Sequence, residues 1–264
     1  MTKHEAKIND LIVETWTDFE NLKSNPEISE VLIPKSMPLL WFGDLAAYEK
    51  SSLKILTVSK NASYAEFGEN QRFKNLPDEI TDSPISDKGQ KNDLQTELSV
   101  NTELYKKNLN EYFEYNPSSW FNQLAKFLPL FDAGYKESDK QVNQALHIDL
   151  FTPIATHPVW PGLSKSQQEQ FKMKFPQLLQ VLKPDILLTS LSVSNLKILL
   201  KNAGDEIEEI FDKEEPEKAA KYVRAYRVDK KLIVINGRNF QGTYFGGMTE
   251  QFVRKCLTEI KGMI

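Results

Sequence analysis

Apolar residues recur along this chain with two different periods. Near the N-terminus Ile8, Leu11, Ile12, Trp16 and Phe19 return every three or four positions, the spacing of one helix face, which predicts a helix over residues 4–24. A short helix over 45–49 follows the apolar entry Pro38-Leu39-Leu40-Trp41-Phe42. The period then changes. Leu53, Ile55, Leu56 and Val58 form a brief apolar run between turn residues, as expected of a parallel strand buried on both faces, and predict a strand over 53–59. Similar runs predict strands over 145–151, 185–189 and 231–235. Helical patterns cover 103–114, 118–131, 164–182 and 193–202, and a last helix begins near Thr249. Residues 74–102, polar and marked by Pro77, Pro84 and Gly89, read as a long loop or lid, and the charge-rich stretch 204–221 as a solvated helix or excursion.

Strands that alternate with helices predict an α/β fold: a three-layer α/β/α sandwich around a central, mainly parallel four-stranded sheet. No repeat or linker divides the pattern, so one domain is expected over 1–264, with a polar insertion at about 74–102.

Composition narrows the function classes. The single cysteine, Cys256, excludes an intramolecular disulfide and a cysteine-ligated cluster. The histidines at 4, 147 and 157 are not paired at metal-ligand spacing, so neither a metal nor a cofactor is expected. No run approaches the roughly 18 consecutive apolar residues of a membrane span, and the N-terminus lacks a signal-peptide core, which predicts a cytoplasmic protein. A formal net charge of −4 argues against coating nucleic acid through bulk charge while leaving room for a local basic groove.

The sequence holds no P-loop, GxGxxG, GxSxG or HExxH pattern. What remains is polar residues at three predicted strand ends: Asn61, Asp149, and the segment Asn236 to Gln241. Ligands of open α/β sheets bind beyond the carboxyl ends of the strands, so this convergence marks the candidate site.

These residues resemble motifs of the uracil-DNA glycosylase superfamily, in particular its divergent bacterial members. Val58-Ser59-Lys60-Asn61-Ala62-Ser63 resembles the first motif in its GxNPS or GxNPG form, with Asn61 on the motif asparagine. His147-Ile148-Asp149-Leu150-Phe151-Thr152-Pro153 resembles the strand whose asparagine reads the base. Asn236 to Phe252, with Tyr244-Phe245-Gly246-Gly247, resembles the second-motif loop. Together they span about 53–260. The chain departs from the family in having Ala62 for proline, Asp149 for asparagine and no His-Pro-Ser in the last loop.

The resemblance implies a monomeric, metal-free DNA glycosylase that flips a base from DNA and hydrolyses its N-glycosidic bond. Asn61 would hold the attacking water, or else cap the following helix. Asn236 or Asn239 would donate to the leaving base, unless the glycines around them simply shape a turn. Phe73, twelve residues beyond Asn61, would stack on the flipped base, with Tyr64 and Phe67 as rivals and a core role as the alternative. His157 would face the base or serve the loop, and Lys60, Ser63, Arg238, Gln241 and Tyr244 would contact DNA.

Asp149 carries the sharpest expectation. An ionised carboxylate only accepts hydrogen bonds, so it suits the N4 amino group of cytosine and opposes the O4 acceptor of uracil. That points to a cytosine-type base, modified ones included, unless Asp149 bonds the proline-rich loop. The resemblance, to a superfamily of which a few members act in defence against phages with modified DNA, together with the long polar insertion at 74–102, implies a modified cytosine and a defence role. Uracil repair, a non-catalytic DNA-binding module on the same fold and an unrelated small-metabolite hydrolase are the other readings.

Overall fold

Ile55–Ser59 forms strand β1, its first four residues fully buried, as the apolar run requires. The computed structural model describes residues 2–67, 72–73, 102–218, 220–238 and 247–264. Six further strands join β1: β2 (Ala133–Gly134), β3 (Asn143–Asp149), β4 (Ile186–Thr189), β5 (Ile207–Glu214), β6 (Tyr222–Val228) and β7 (Leu232–Gly237). They form one sheet in the order β2-β3-β1-β4-β7-β6-β5. Ile55, Ile186 and Ile233 stand side by side across the parallel trio β1, β4 and β7.

The four strands expected from the sequence are adjacent, at β3-β1-β4-β7, but the expected four-stranded, mainly parallel sheet is corrected to a seven-stranded mixed one. β2 extends one edge, parallel to β3, and the antiparallel pair β6 and β5 extends the other. The stretch read as a solvated helix or excursion therefore contains an edge strand. Only Phe211 of β5 is buried; its outer residues are charged, and Asp212 pairs with Arg224 at 3.0 Å and Glu208 with Arg227 at 3.2 Å. Charge on an edge strand discourages pairing with another chain, which is why the segment does not look like a strand.

The chain divides into two compact units. A sheet unit comprises Asp44–Ser59, Ser118–His147 and Leu182–Ile264. Within it the Tyr48 hydroxyl donates to the Leu182 carbonyl, and the Asn143 side-chain oxygen accepts from the Leu53 N–H and the Ser52 hydroxyl. Helix Val193–Ala203 starts on the Ser192 side chain, and helix Glu250–Lys261, capped by Thr249, buries Val253, Cys256, Leu257 and Ile260.

A helical unit comprises Met1–Gly43, Lys60–Pro117 and Ile148–Val181. Its first helix, Lys3–Lys23, opens with a capping box between Thr2 and Glu5 and buries Ile8, Leu11, Ile12, Trp16 and Phe19, the face read from the sequence. The helix expected over 164–182 is two helices, Lys165–Gln170 and Phe175–Leu182. Between them Lys174 is buried, its ammonium 2.6 Å from Glu14 and 2.7 Å from Asp18 of the first helix. The expected helix over 103–114 is helical over 102–110 and again over Tyr112–Tyr115. The expected loop at 74–102 lies, but for its last residue, outside the described residues. No helix among the described residues is long and apolar enough to cross a membrane.

Candidate functional site

The segments that continue β1 and β3 stay joined after leaving the sheet: the Phe151 N–H donates to the Lys60 carbonyl at 3.0 Å, and the Thr156 N–H to that of Ala62 at 3.3 Å. This brings Asn61 and the loop after Asp149 together within the helical unit.

Asn61 holds that loop. Its amide nitrogen donates to the Ala62 carbonyl and the Thr156 hydroxyl, both at 2.9 Å, while its oxygen accepts from the Trp160 N–H at 2.9 Å. The Thr156 hydroxyl in turn donates to the Pro158 carbonyl, and Trp160 stacks flat on Phe151 with centroids 4.6 Å apart. An amide has two donor hydrogens and one acceptor oxygen with two lone pairs. Both hydrogens and one lone pair are engaged here, so the side chain keeps a single lone pair for water. Nor does Asn61 cap the next helix. The Ser63 hydroxyl does that, accepting from the Ala65 N–H at 3.2 Å.

The helix that follows, Tyr64–Phe67, carries a group the sequence reading missed. Glu66 is buried and accepts a 2.7 Å hydrogen bond from the Tyr112 hydroxyl. Burial pushes its carboxyl up to about 7; the Tyr112 bond and the Arg72 charge act against that, and the negative charge of Asp149 adds to it. Arg72 is itself held by three carbonyls, those of Ala65, Asn116 and Pro117. Asp149, the last residue of β3, is buried in the same unit. The helical unit thus contains two buried carboxylic acids that interact, one of them poised to gain or lose a proton near neutrality. The available sequence signal was a lone acid between Ala65 and Phe67 in an otherwise apolar and aromatic turn.

The other expected residues divide. Phe73 is buried, with Phe67 stacked on it at 5.4 Å and Tyr112 tilted against it at 5.3 Å, so its contacts are those of a core ring. Tyr64 is 51% exposed and meets His157 edge-on at 6.4 Å, which makes it the accessible aromatic of this region. Lys60 and Ser63 are half-buried. Asn236 belongs to the sheet unit and is fully buried; its oxygen accepts from the Leu191 N–H at 2.8 Å and its nitrogen donates to the Leu191 carbonyl at 3.3 Å. That two-point clamp on a backbone is a structural use of the amide. Arg238, half-buried in the same unit, lies with its guanidinium 5.8 Å from the Tyr222 ring centre. Asn239, Gln241 and Tyr244 lie outside the described residues.

Among the described residues no group of three or more histidine, cysteine and acidic side chains could hold a metal ion. Comparison of the chain with family models, curated proteins and solved structures finds no match.

Proposed function

We propose that this protein is a DNA glycosylase of the uracil-DNA glycosylase type, with the three-layer arrangement of that superfamily. In this reading it hydrolyses the N-glycosidic bond of a modified cytosine. The observation that carries the reading is the pair of buried acids, Glu66 beyond β1 and Asp149 at the end of β3, of which Glu66 has its carboxyl pushed up to about 7. Breaking an N-glycosidic bond requires a base for the attacking water and groups that tolerate positive charge building on the sugar. A buried carboxyl whose proton affinity is raised by its surroundings meets the first need, and a second acidic side chain beside it the other.

Glu66 takes the role first expected of Asn61. As a carboxylate it removes a proton from water while the water oxygen bonds to C1′ and the base departs with the electrons of the broken bond. The proton then passes to the departing base, leaving an abasic site. Asp149 accepts a hydrogen bond from the exocyclic amino group of the base. Tyr64 offers an exposed ring for stacking, and Lys60 contacts phosphate. Asn61 positions the Thr156–Trp160 loop.

The test is a panel of single- and double-stranded oligonucleotides carrying uracil, cytosine, hydroxymethylcytosine or glucosylated hydroxymethylcytosine, scored for alkali-labile abasic sites. Release is expected from the modified cytosines. The absence of abasic sites from every substrate would contradict the proposal. A non-catalytic DNA-binding module is the second reading, favoured by the engagement of the Asn61 amide with Thr156 and Trp160. It is distinguished by DNA binding at low salt without base release.

A further inference from the structure

Four polar side chains run in a line through the buried part of the sheet unit. The Tyr135 hydroxyl lies 2.7 Å from Thr57 Oγ1, which lies 2.8 Å from His147 Nδ1, and His147 Nε2 lies 3.2 Å from Ser59 Oγ. His147 is buried, with the edges of Trp120 and Phe121 meeting its ring at 5.5 and 4.9 Å. Ser59 is the last residue of β1 and half-buried. The hydroxyl therefore sits where central parallel strands of α/β sheets present ligand-binding groups.

One proton arrangement of this line aims the imidazole lone pair at Ser59. Thr57 has one proton and three neighbours, one of which, the Leu146 carbonyl at 3.4 Å, can only accept. In that arrangement Thr57 donates to that carbonyl and accepts from both Tyr135 and His147 Nδ1–H. Nε2 then carries the lone pair and faces the Ser59 hydroxyl. A hydroxyl beside a base that is itself fixed by a third group is the arrangement that activates a nucleophile.

We propose that Ser59 and His147 form a nucleophilic dyad for acyl transfer from small esters, oriented by Thr57 and Tyr135. Ser59 Oγ attacks the ester carbonyl carbon while its proton passes to His147 Nε2. The tetrahedral adduct then expels the alkoxide, which takes that proton and leaves as the alcohol. Water, deprotonated by the same nitrogen, attacks the acyl-serine, releases the acid and returns the proton to Ser59. Thr57 and Tyr135 are positioning residues. This activity is independent of the glycosylase reading and has a separate readout.

The folded protein is treated with a fluorophosphonate, which transfers its phosphonyl group to an activated serine with loss of fluoride, and the adduct is mapped by peptide mass spectrometry. One adduct is expected, on Ser59 and absent from Ser59→Ala, with labelling at least about 100-fold slower in His147→Gln. Should His147→Gln fail to fold, Thr57→Val decides: it removes the hydroxyl beside Nδ1 and leaves Ser59 and His147 in place, and labelling is expected to be at least about 10-fold slower. No adduct on the wild-type protein, an adduct that survives Ser59→Ala, or labelling unchanged in folded His147→Gln or Thr57→Val would each overturn the proposal.

Discussion

The Tyr112 hydroxyl donates a 2.7 Å hydrogen bond to Glu66 Oε2 in the interior of the helical unit. The bond favours the ionised acid, whereas burial and the neighbouring charge of Asp149 favour the neutral one, and the balance leaves the group near pH 7. The tyrosine thus works as a restraint on a proton affinity that would otherwise rise further. Tyr112→Phe is expected to move the acidic limb of any activity that needs ionised Glu66 to higher pH, without changing the activity reached on the alkaline side. A pH–rate profile checks this; an unshifted limb would remove Tyr112 from the account.

The same group makes stability depend on pH. The Glu66 carboxyl is raised from 4.5 to about 7 in the folded state, so its contribution is fully present below about pH 4.5 and is lost as the pH rises through 7. For a group this deeply buried the lost contribution is about 3 kcal/mol. Glu66→Gln keeps an acceptor for Tyr112 and cannot ionise. Its stability relative to wild type is expected to be higher at pH 8 than at pH 5 by up to about 3 kcal/mol, read by urea unfolding. Equal differences at the two pH values would show that Glu66 does not titrate in this window.

Asn61 acts through the loop it holds. Asn61→Ala leaves the Trp160 N–H without its side-chain acceptor, a loss of about 1–3 kcal/mol. Asn61→Asp is expected to destabilise too, because a carboxylate oxygen would face the Ala62 carbonyl where the amide now donates. An aspartate protein as stable as wild type, and faster in base release, would restore the water-holding role to position 61.

Lys174 and Asp18 make the opposite pH dependence. Burial works to raise the Asp18 carboxyl, but hydrogen bonds and charge from Lys172 and Lys174 outweigh it and hold the group below 3.8. Stability from this cluster is therefore present above about pH 4 and lost as the pH falls below it. Lys174→Met takes one partner from a buried ionic group, with an expected cost of about 3–5 kcal/mol at pH 7. The deficit should shrink in acid, where Asp18 is neutral; a deficit independent of pH would mean that the lysine matters only for packing.

How much of this was legible in the sequence depended on whether a segment's reason for folding is local. The strands β3, β1, β4 and β7 were legible because each buries an apolar run, and the first helix because its apolar face repeats. β5 was not. Ile207–Glu214 holds its place through ladder bonds and ion pairs with β6 while most of its side chains face water. Lys174 reads as a surface residue, yet its partner Glu14 is 160 positions away, and no local pattern signals that. The candidate site shows the same division. The position of Asn61 was apparent, but its partners Thr156 and Trp160 lie 95 and 99 residues further on, so its work as a loop clasp was not. Glu66 acquires its proton affinity from Tyr112, Arg72 and Asp149, which only the fold assembles.

The central claim is that Glu66 is the base for N-glycosidic hydrolysis, and it is tested most directly by the rate of base release from hydroxymethylcytosine DNA across pH for wild type and Glu66→Gln. The expected result is a wild-type rate that climbs through about pH 7 and a loss of about 100-fold or more in the glutamine protein, which stays folded and still binds the DNA. Base release at the wild-type rate by Glu66→Gln, or none from the wild-type protein at any pH, would contradict it.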